Sequence, residues 1–123
     1  MRDKLSADRL KAYIKSEIEQ ARALQKSNVF GEAFRHLERA HVLGQSITAE
    51  HTRVHWLMLK CGWRSKDWRE VFGQLFRMIG AATKTPFAIY PTGNTGGANV
   101  SPFRSMPIPD DLRMMMEQAR RGE

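Results

Sequence analysis

The sequence predicts an all-α protein of four main helices, arranged as two antiparallel helical hairpins. Four segments repeat apolar residues at three- and four-residue steps, which is the period of a helix with one buried face. Short polar or glycine-containing breaks separate these segments, and no long alternating run typical of a strand occurs. A chain of 123 residues is enough for one compact domain with a single core.

The first two predicted helices have clear apolar stripes. The first extends from about residue 7 to 25 behind Ser6 as N-cap, and Leu10, Ile14 and Ile18 lie on one face. The second extends from about residue 30 to Gly44, a residue type that commonly ends helices. The break between them predicts the first hairpin.

The third and fourth predicted helices form the second hairpin. The third begins at Thr48, interpreted as an N-cap with Glu50 in the first turn, and continues to about Lys60. The fourth has a broad apolar face, so we expect it to be the best-buried helix. Its apolar residues are Trp68, Val71, Phe72, Leu75, Phe76 and Ile79. We interpret the three tryptophans, Trp56, Trp63 and Trp68, as core and hairpin-packing aromatics.

The chain after Lys84 changes composition abruptly. It holds all five prolines and the glycine-rich stretch GNTGG, so a helix cannot continue through it. Its apolar residues, too many for a solvated tail, are Phe87, Ile89, Tyr90, Val100, Phe103, Met106 and Ile108. The sequence therefore predicts a helical-hairpin domain over 1–85, and over 86–123 an irregular arm that packs back on it and ends in a short helix from Leu112 to Arg120.

Charge and motifs limit the functional classes. The net charge of +7 is spread among acidic residues rather than clustered, so nucleic acid is not a favoured partner. No apolar run is long enough to cross a membrane, no secretory signal is visible, and a single cysteine excludes an internal disulfide, which favours the cytoplasm. Nucleophile-elbow, Walker and Rossmann motifs are lacking, so enzymatic activity is not favoured but stays open.

Two resemblances support the helical prediction. The spacing of Ala33, Leu37 and Ala40 resembles the close-packing positions of a tetratricopeptide repeat hairpin. The motifs HLERAHVLGQ, HTRVHWLMLKCGW and PIPDDL together resemble a bacterial family catalogued as a domain of unknown function, over about Phe30 to Leu112. That resemblance implies no established activity. It implies only an association with heavy-metal resistance genes.

The four histidines fall within one window and suggest a site. Because the turn between the second and third helices is centred near Ser46, His41 and His51 are equally far from it and lie at one height. His55 lies one helical turn after His51, about 40° away on the same face. His36 and His41 are about 140° apart, so one metal ion would hardly bind both.

We therefore expect a metal site formed by His41, His51 and His55, with Glu38 as a fourth, carboxylate ligand and His36 outside it or at another site. Imidazoles suit copper, zinc and nickel, and sulfur from Met58 or Cys61 would shift the preference towards copper. The glycine-rich turn could cover the site, with Tyr90 or Asn94 reaching inward.

The alternatives left open are structural and adaptor roles. The histidines could be neutral rings with carboxylate or backbone partners, Cys61 a small buried residue, and Met58 part of the core. The protein would then be a tetratricopeptide-like adaptor without metal that binds a protein partner or forms a homo-oligomer. An adaptor needs exposed apolar residues on its helices, whereas a metal site needs the histidines to converge.

Overall fold

The computed structural model describes residues 2–84, 87 and 90–122, in which only helices and irregular segments occur. The helices are α1 (Arg2–Lys26), α2 (Phe30–Gly44), α3 (Thr48–Arg64), α4 (Trp68–Lys84) and α5 (Asp110–Arg121). The all-α prediction with four main helices, an irregular arm and a short final helix is confirmed. No described helix combines the length and the apolarity that crossing a membrane requires.

The helices form a row in which each packs on the next. Antiparallel α1 and α2 make the first pair, antiparallel α3 and α4 the second, and α2 contacts α3 between the pairs. Helix α5 returns to pack on α1 and α2. Accordingly, the core is built mainly from α1, α2, α3 and α5, through Ile14, Ile18, Ala33, Leu37, Ala40, Leu43, Val54, Met58, Cys61 and Leu112.

Several helix ends differ from the sequence prediction. Helix α1 begins at Arg2, so Ser6 lies inside it rather than capping it. The N-cap of α3 is Ile47 and no side chain caps that end, so Thr48 is the first helical residue instead. Helix α3 continues to Arg64, beyond the predicted end, because Gly62 is accommodated within the helix.

Gly44 ends α2 as predicted, but for a different reason. A Cβ atom at Gly44 would lie 3.3 Å from the Cβ of Glu50 and 3.5 Å from the Cδ1 of Ile14. The residue therefore allows α1 and α3 to approach the end of α2 closely. It does not adopt the left-handed conformation of a glycine cap.

The prediction that α4 is the best-buried helix was wrong. Its apolar face is open to solvent, with Phe72 70%, Phe76 64% and Ile79 68% exposed. Helix α4 is the last in the row, and α3 is the described helix that it packs against extensively, so no described helix covers its outer side. The tryptophans are not core residues either: Trp56, Trp63 and Trp68 are 47%, 61% and 47% exposed, and only Trp63 and Trp68 pack edge-to-face.

The arm crosses from α2 to α4 over their inner faces. The side chain of Gln45 donates to the carbonyl of Pro91 (2.9 Å) and accepts from the amide of Gly93 (2.9 Å). On α4, Arg77 donates to the carbonyl of Val100 at 2.7 Å. These bonds hold 91–100 against the helices. The predicted boundary at residues 85 and 86 and the predicted burial of Ile89 lie outside the described residues, and the division into two segments stays a prediction.

Candidate metal centre

Three histidine side chains meet where α2, α3 and the arm come together. The Nε2 atom of His41 lies 3.1 Å from Nε2 of His51 and 3.0 Å from Nε2 of His55. The potential ligand atoms of all three lie within 4.8 Å of one another. Each residue is at least 94% buried, because His51, the most exposed of them, has an exposed fraction of 6%. This buried cluster could bind a metal ion.

Local helix geometry brings these rings together. The turn at 45–47 is closed by the Ile47 amide, which donates to the carbonyl of Gly44 at 3.0 Å. It reverses the chain between α2 and α3, so His41, near the end of α2, faces the first turns of α3. His51 and His55 are one turn apart on α3, with ring centroids 5.0 Å apart.

Hydrogen bonds to the arm and to α4 fix two of the imidazole tautomers. Nδ1 of His41 donates to the backbone carbonyl of Asn94 at 2.7 Å, since a carbonyl only accepts. Nδ1 of His55 lies 2.5 Å from Oε1 of Gln74. The amide of Gln74 is held in this orientation because its Nε2 donates to Glu70 (2.9 Å) and to the carbonyl of Gly96 (2.8 Å), both acceptors.

These tautomers leave lone pairs facing one another. In neutral His41 and His55 the proton is on Nδ1, so both Nε2 atoms present lone pairs across 3.0 Å. Two acceptors at that distance are stabilised only by a proton or a cation between them. In a tetrahedral site with metal–nitrogen bonds of about 2.0–2.1 Å, neighbouring nitrogens are about 3.3 Å apart. The two nitrogen pairs that include His41, at 3.0 and 3.1 Å, therefore come within a few tenths of an ångström of this spacing.

Burial keeps the three rings neutral. It lowers the pKa of His51 and of His55 to about 4. The neighbouring His55 imidazole adds to the effect at His51. At His55 the hydrogen bond to Gln74 opposes it and the charge of Arg77 adds to it. Burial lowers the pKa of His41 well below its ordinary value, and the two neighbouring imidazoles add to this effect. Metal binding requires neutral imidazole, so at neutral pH no proton has to be removed before the ligands can bind.

A cavity of about 710 Å³ opens beside the cluster. All three histidines line it, so a metal bound by three Nε2 atoms would have one side towards an open space. The cavity walls also include apolar side chains of α4 and the arm, together with two basic residues. These lining residues include Phe76, Arg77, Ile79, Lys84, Pro91, Pro102 and Phe103.

Two predicted ligands lie elsewhere. The carboxyl of Glu38 is half-buried and does not belong to the three-histidine group. Burial raises the pKa of Glu38, and the charge of Glu70 adds to this. His36 points to α1, where its Nδ1 lies 2.7 Å from the carboxylate of Glu17. That carboxylate also pairs with Arg39 at 3.0 Å, so His36 belongs to a helix-to-helix ion-pair network.

The predicted sulfur ligands and Tyr90 have separate positions. Met58 is fully buried in the hydrophobic core. Cys61 is also buried, outside the histidine group, and burial raises the pKa of its thiol to about 11, so it stays protonated at neutral pH. The Tyr90 ring lies edge-to-face with His51, with centroids 6.3 Å apart, and it lines the cavity.

The contacts that orient the histidines were not identified from the sequence. Asn94 was expected only to reach inward from the covering turn, and it is its backbone carbonyl that contacts His41. Gln74 and Glu70 lie on the inner face of α4, and Glu70 accepts from the Ala98 amide at 2.8 Å. A glutamate and a glutamine four residues apart, on the side of α4 away from the apolar stripe, are only a weak indication in the sequence that this side faces a polar site. Their contact with His55 depends on how α3 and α4 pack, which no local pattern contains.

Fold and site together define a helical protein with a buried three-histidine cluster under an irregular arm. The family model described as "Protein of unknown function (DUF3703)" matches residues 8–116. The chain belongs to this family. No curated protein and no solved structure matches the chain.

The depressed pKa values predict that the metal-free protein loses stability in mild acid. Unfolded histidines have a pKa near 6.5, so below that pH the unfolded state binds more protons than the folded state. We expect a loss of about 1.4 kcal/mol per pH unit for each of the three histidines as pH falls from about 6.5 towards 4. Urea unfolding at pH 7.5 and 5.5 measures it.

Matched variants assign this loss to the cluster. His36→Gln should retain the dependence that the cluster produces, whereas His51→Gln with His55→Gln should remove about two thirds of it. Equal stability of the wild type at both pH values would contradict the assignment.

Gly96 predicts a sharp steric limit on the arm. Its φ is +86°, and a Cβ atom there would lie 2.6 Å from Cδ2 of His41. Gly96→Ala should therefore lower the free energy of unfolding by about 2 kcal/mol or more. Gly31→Ala is the control, because no atom lies within 4 Å of its added Cβ in α2, and it should stabilise by about 0.5–1 kcal/mol. Urea unfolding that gives both variants the same stability would refute this role for Gly96.

Proposed function

We propose that the protein binds one divalent transition-metal ion through Nε2 of His41, His51 and His55. The convergence of these three nitrogens, two of them with tautomers fixed by Asn94 and Gln74, is the observation that carries the proposal. Imidazole ligands held by hydrogen bonds at their second nitrogen are typical of metal sites, where such bonds orient the ring.

The donor set admits zinc, copper(II) or nickel. Imidazole nitrogen suits all three. The shift towards copper that sulfur ligands would give has no support, because the Cys61 thiol lies outside the group and is protonated, and Met58 packs in the core. Three protein ligands also leave a fourth position, which distinguishes this site from the closed four-ligand sites of structural zinc.

A role in metal homeostasis or resistance, as an accessory or sensing protein in the cytoplasm, suits such a site. The ligands come from α2 and α3, and their hydrogen-bond partners come from the arm and α4. Bound metal would therefore connect four parts of the chain, and loading would stabilise the arm against the helices. An ordered arm is a signal that a partner protein can distinguish from a loosened one.

Metal analysis tests the proposal directly. Untagged protein purified without chelator should contain, or take up on titration with zinc, about one ion per chain. His51→Ala with His55→Ala should weaken zinc binding by more than about a hundredfold, since it removes two of three ligands. His36→Ala, which removes an imidazole outside the cluster, is the control and should bind as the wild type does. Absence of metal from the wild type under titration would overturn the proposal.

The exposed face of α4 favours a second candidate, the adaptor role. Its apolar residues, Phe72, Leu75, Phe76 and Ile79, are 48–70% exposed and lie on one helix. A contiguous apolar surface of this kind marks an interaction site in soluble proteins. A tetratricopeptide-like row also buries its last face on a following repeat, and no described helix packs on the outer side of α4. A second copy of the chain would supply such a neighbour.

The adaptor role predicts self-association through α4. Light scattering at increasing protein concentration should show dimers, and Phe72→Asp with Leu75→Asp should keep the protein monomeric while leaving zinc binding unchanged. Met114→Asp alters an exposed apolar residue on α5 and is the control. A wild type that stays monomeric at every concentration contradicts self-association.

A further inference from the structure

We infer that the cavity beside the histidine cluster binds a small organic carboxylate with an apolar body, whose carboxylate takes the fourth position on the metal. This inference rests on the proposed metal centre and names the ligand of that centre. Three groups of observations carry it: the charge of the site, the basic residues of the cavity, and its apolar walls.

The charge of the site demands an anion. Three neutral imidazoles leave a divalent ion with its full charge in a buried environment, where uncompensated charge is costly. The carboxylate next in the hydrogen-bond chain is Glu70, but it lies behind Gln74. Its oxygens accept from the Gln74 amide and the Ala98 amide, so it does not contact the histidines itself. An anion bound from solution would neutralise part of the metal's charge and would also occupy its fourth coordination position.

The basic residues of the cavity suit a carboxylate. Arg77 and Lys84 line it, and none of its described lining residues is acidic. Arg77 is anchored by Nη1, which donates to the Gly73 carbonyl at 3.2 Å, and by Nη2, which donates to the Val100 carbonyl at 2.7 Å. Its Nε is buried and has no hydrogen-bond partner within the part of the chain that the structure describes. The Nη1 and Nη2 atoms each carry a second N–H, and a guanidinium fixed in this way can bind an anion through them at small entropic cost.

The apolar walls define the rest of the ligand. Phe76, Ile79, Pro91, Pro102 and Phe103 line the open space, which at about 710 Å³ is in the range of small-molecule sites and far larger than one hydroxide needs. A phosphate or sulfate would leave these walls without contacts. An aryl or branched aliphatic group attached to the carboxylate would bury against them, and each additional buried methylene adds favourable transfer energy.

Cobalt(II) provides the probe, because it replaces zinc at such sites and its visible absorption responds to a change of ligand. Benzoate added to the cobalt-loaded wild type should change the spectrum and saturate. Acetate should bind at least about tenfold more weakly, since it lacks the apolar body. Benzamide, which has the same shape without the charge, should leave the spectrum unchanged.

Variants of two arginines on α4 test the residue assignment. Arg77→Gln, compared with the wild type at saturating cobalt, should weaken benzoate binding by about tenfold or more. Arg69→Gln is the control, since Arg69 is exposed and does not line the cavity, and it should bind benzoate as the wild type does.

The outcomes separate the two proposals. Cobalt bound at the histidines with a spectrum that benzoate does not change would overturn the carboxylate site and leave the metal centre standing. The same conclusion follows if benzamide matches benzoate or if acetate binds as tightly. Failure of cobalt to bind at the histidines would overturn both.

Discussion

The approach of two imidazole lone pairs is the constraint on which the rest of the site depends. His41 and His55 each donate a proton through Nδ1, to Asn94 and to Gln74, so their Nε2 atoms face each other at 3.0 Å without a proton between them. Burial lowers the pKa of His41, His51 and His55, so protonation does not relieve this arrangement near neutral pH. A bound cation would relieve it, so the cluster could hold a metal ion.

The arm and the polar inner face of α4 supply the hydrogen bonds that hold the histidines in this arrangement. Gln74 orients His55, Glu70 holds Gln74 and the Ala98 amide, and the carbonyl of Gly96 completes the chain of acceptors. Buried polar groups of this kind are tolerated because each is hydrogen-bonded. The same residues explain why α4 buries polar side chains: its inner face supports the site, and its apolar stripe is left facing solvent.

Sequence patterns predicted the parts of this structure that depend on local spacing. Helical periodicity located the four main helices, and the turn at 45–47 together with one-turn spacing accounts for the meeting of His41, His51 and His55. Sequence patterns did not show which segments pack against each helix face or which side chains contact the histidines. The broad stripe of Phe72, Phe76 and Ile79 was interpreted as a buried face, because periodicity shows that one face is apolar but not whether a neighbour covers it. Glu38 was placed near His41 by spacing alone, although its carboxyl lies outside the cluster.

X-ray absorption spectroscopy of the zinc-loaded protein tests the central claim most directly. We expect three imidazole nitrogens at about 2.0–2.1 Å from the zinc and one further light atom, with no sulfur neighbour. His36→Ala should leave that spectrum unchanged. A zinc–sulfur distance of about 2.3 Å, or fewer than three imidazoles on the metal, would contradict the three-histidine centre.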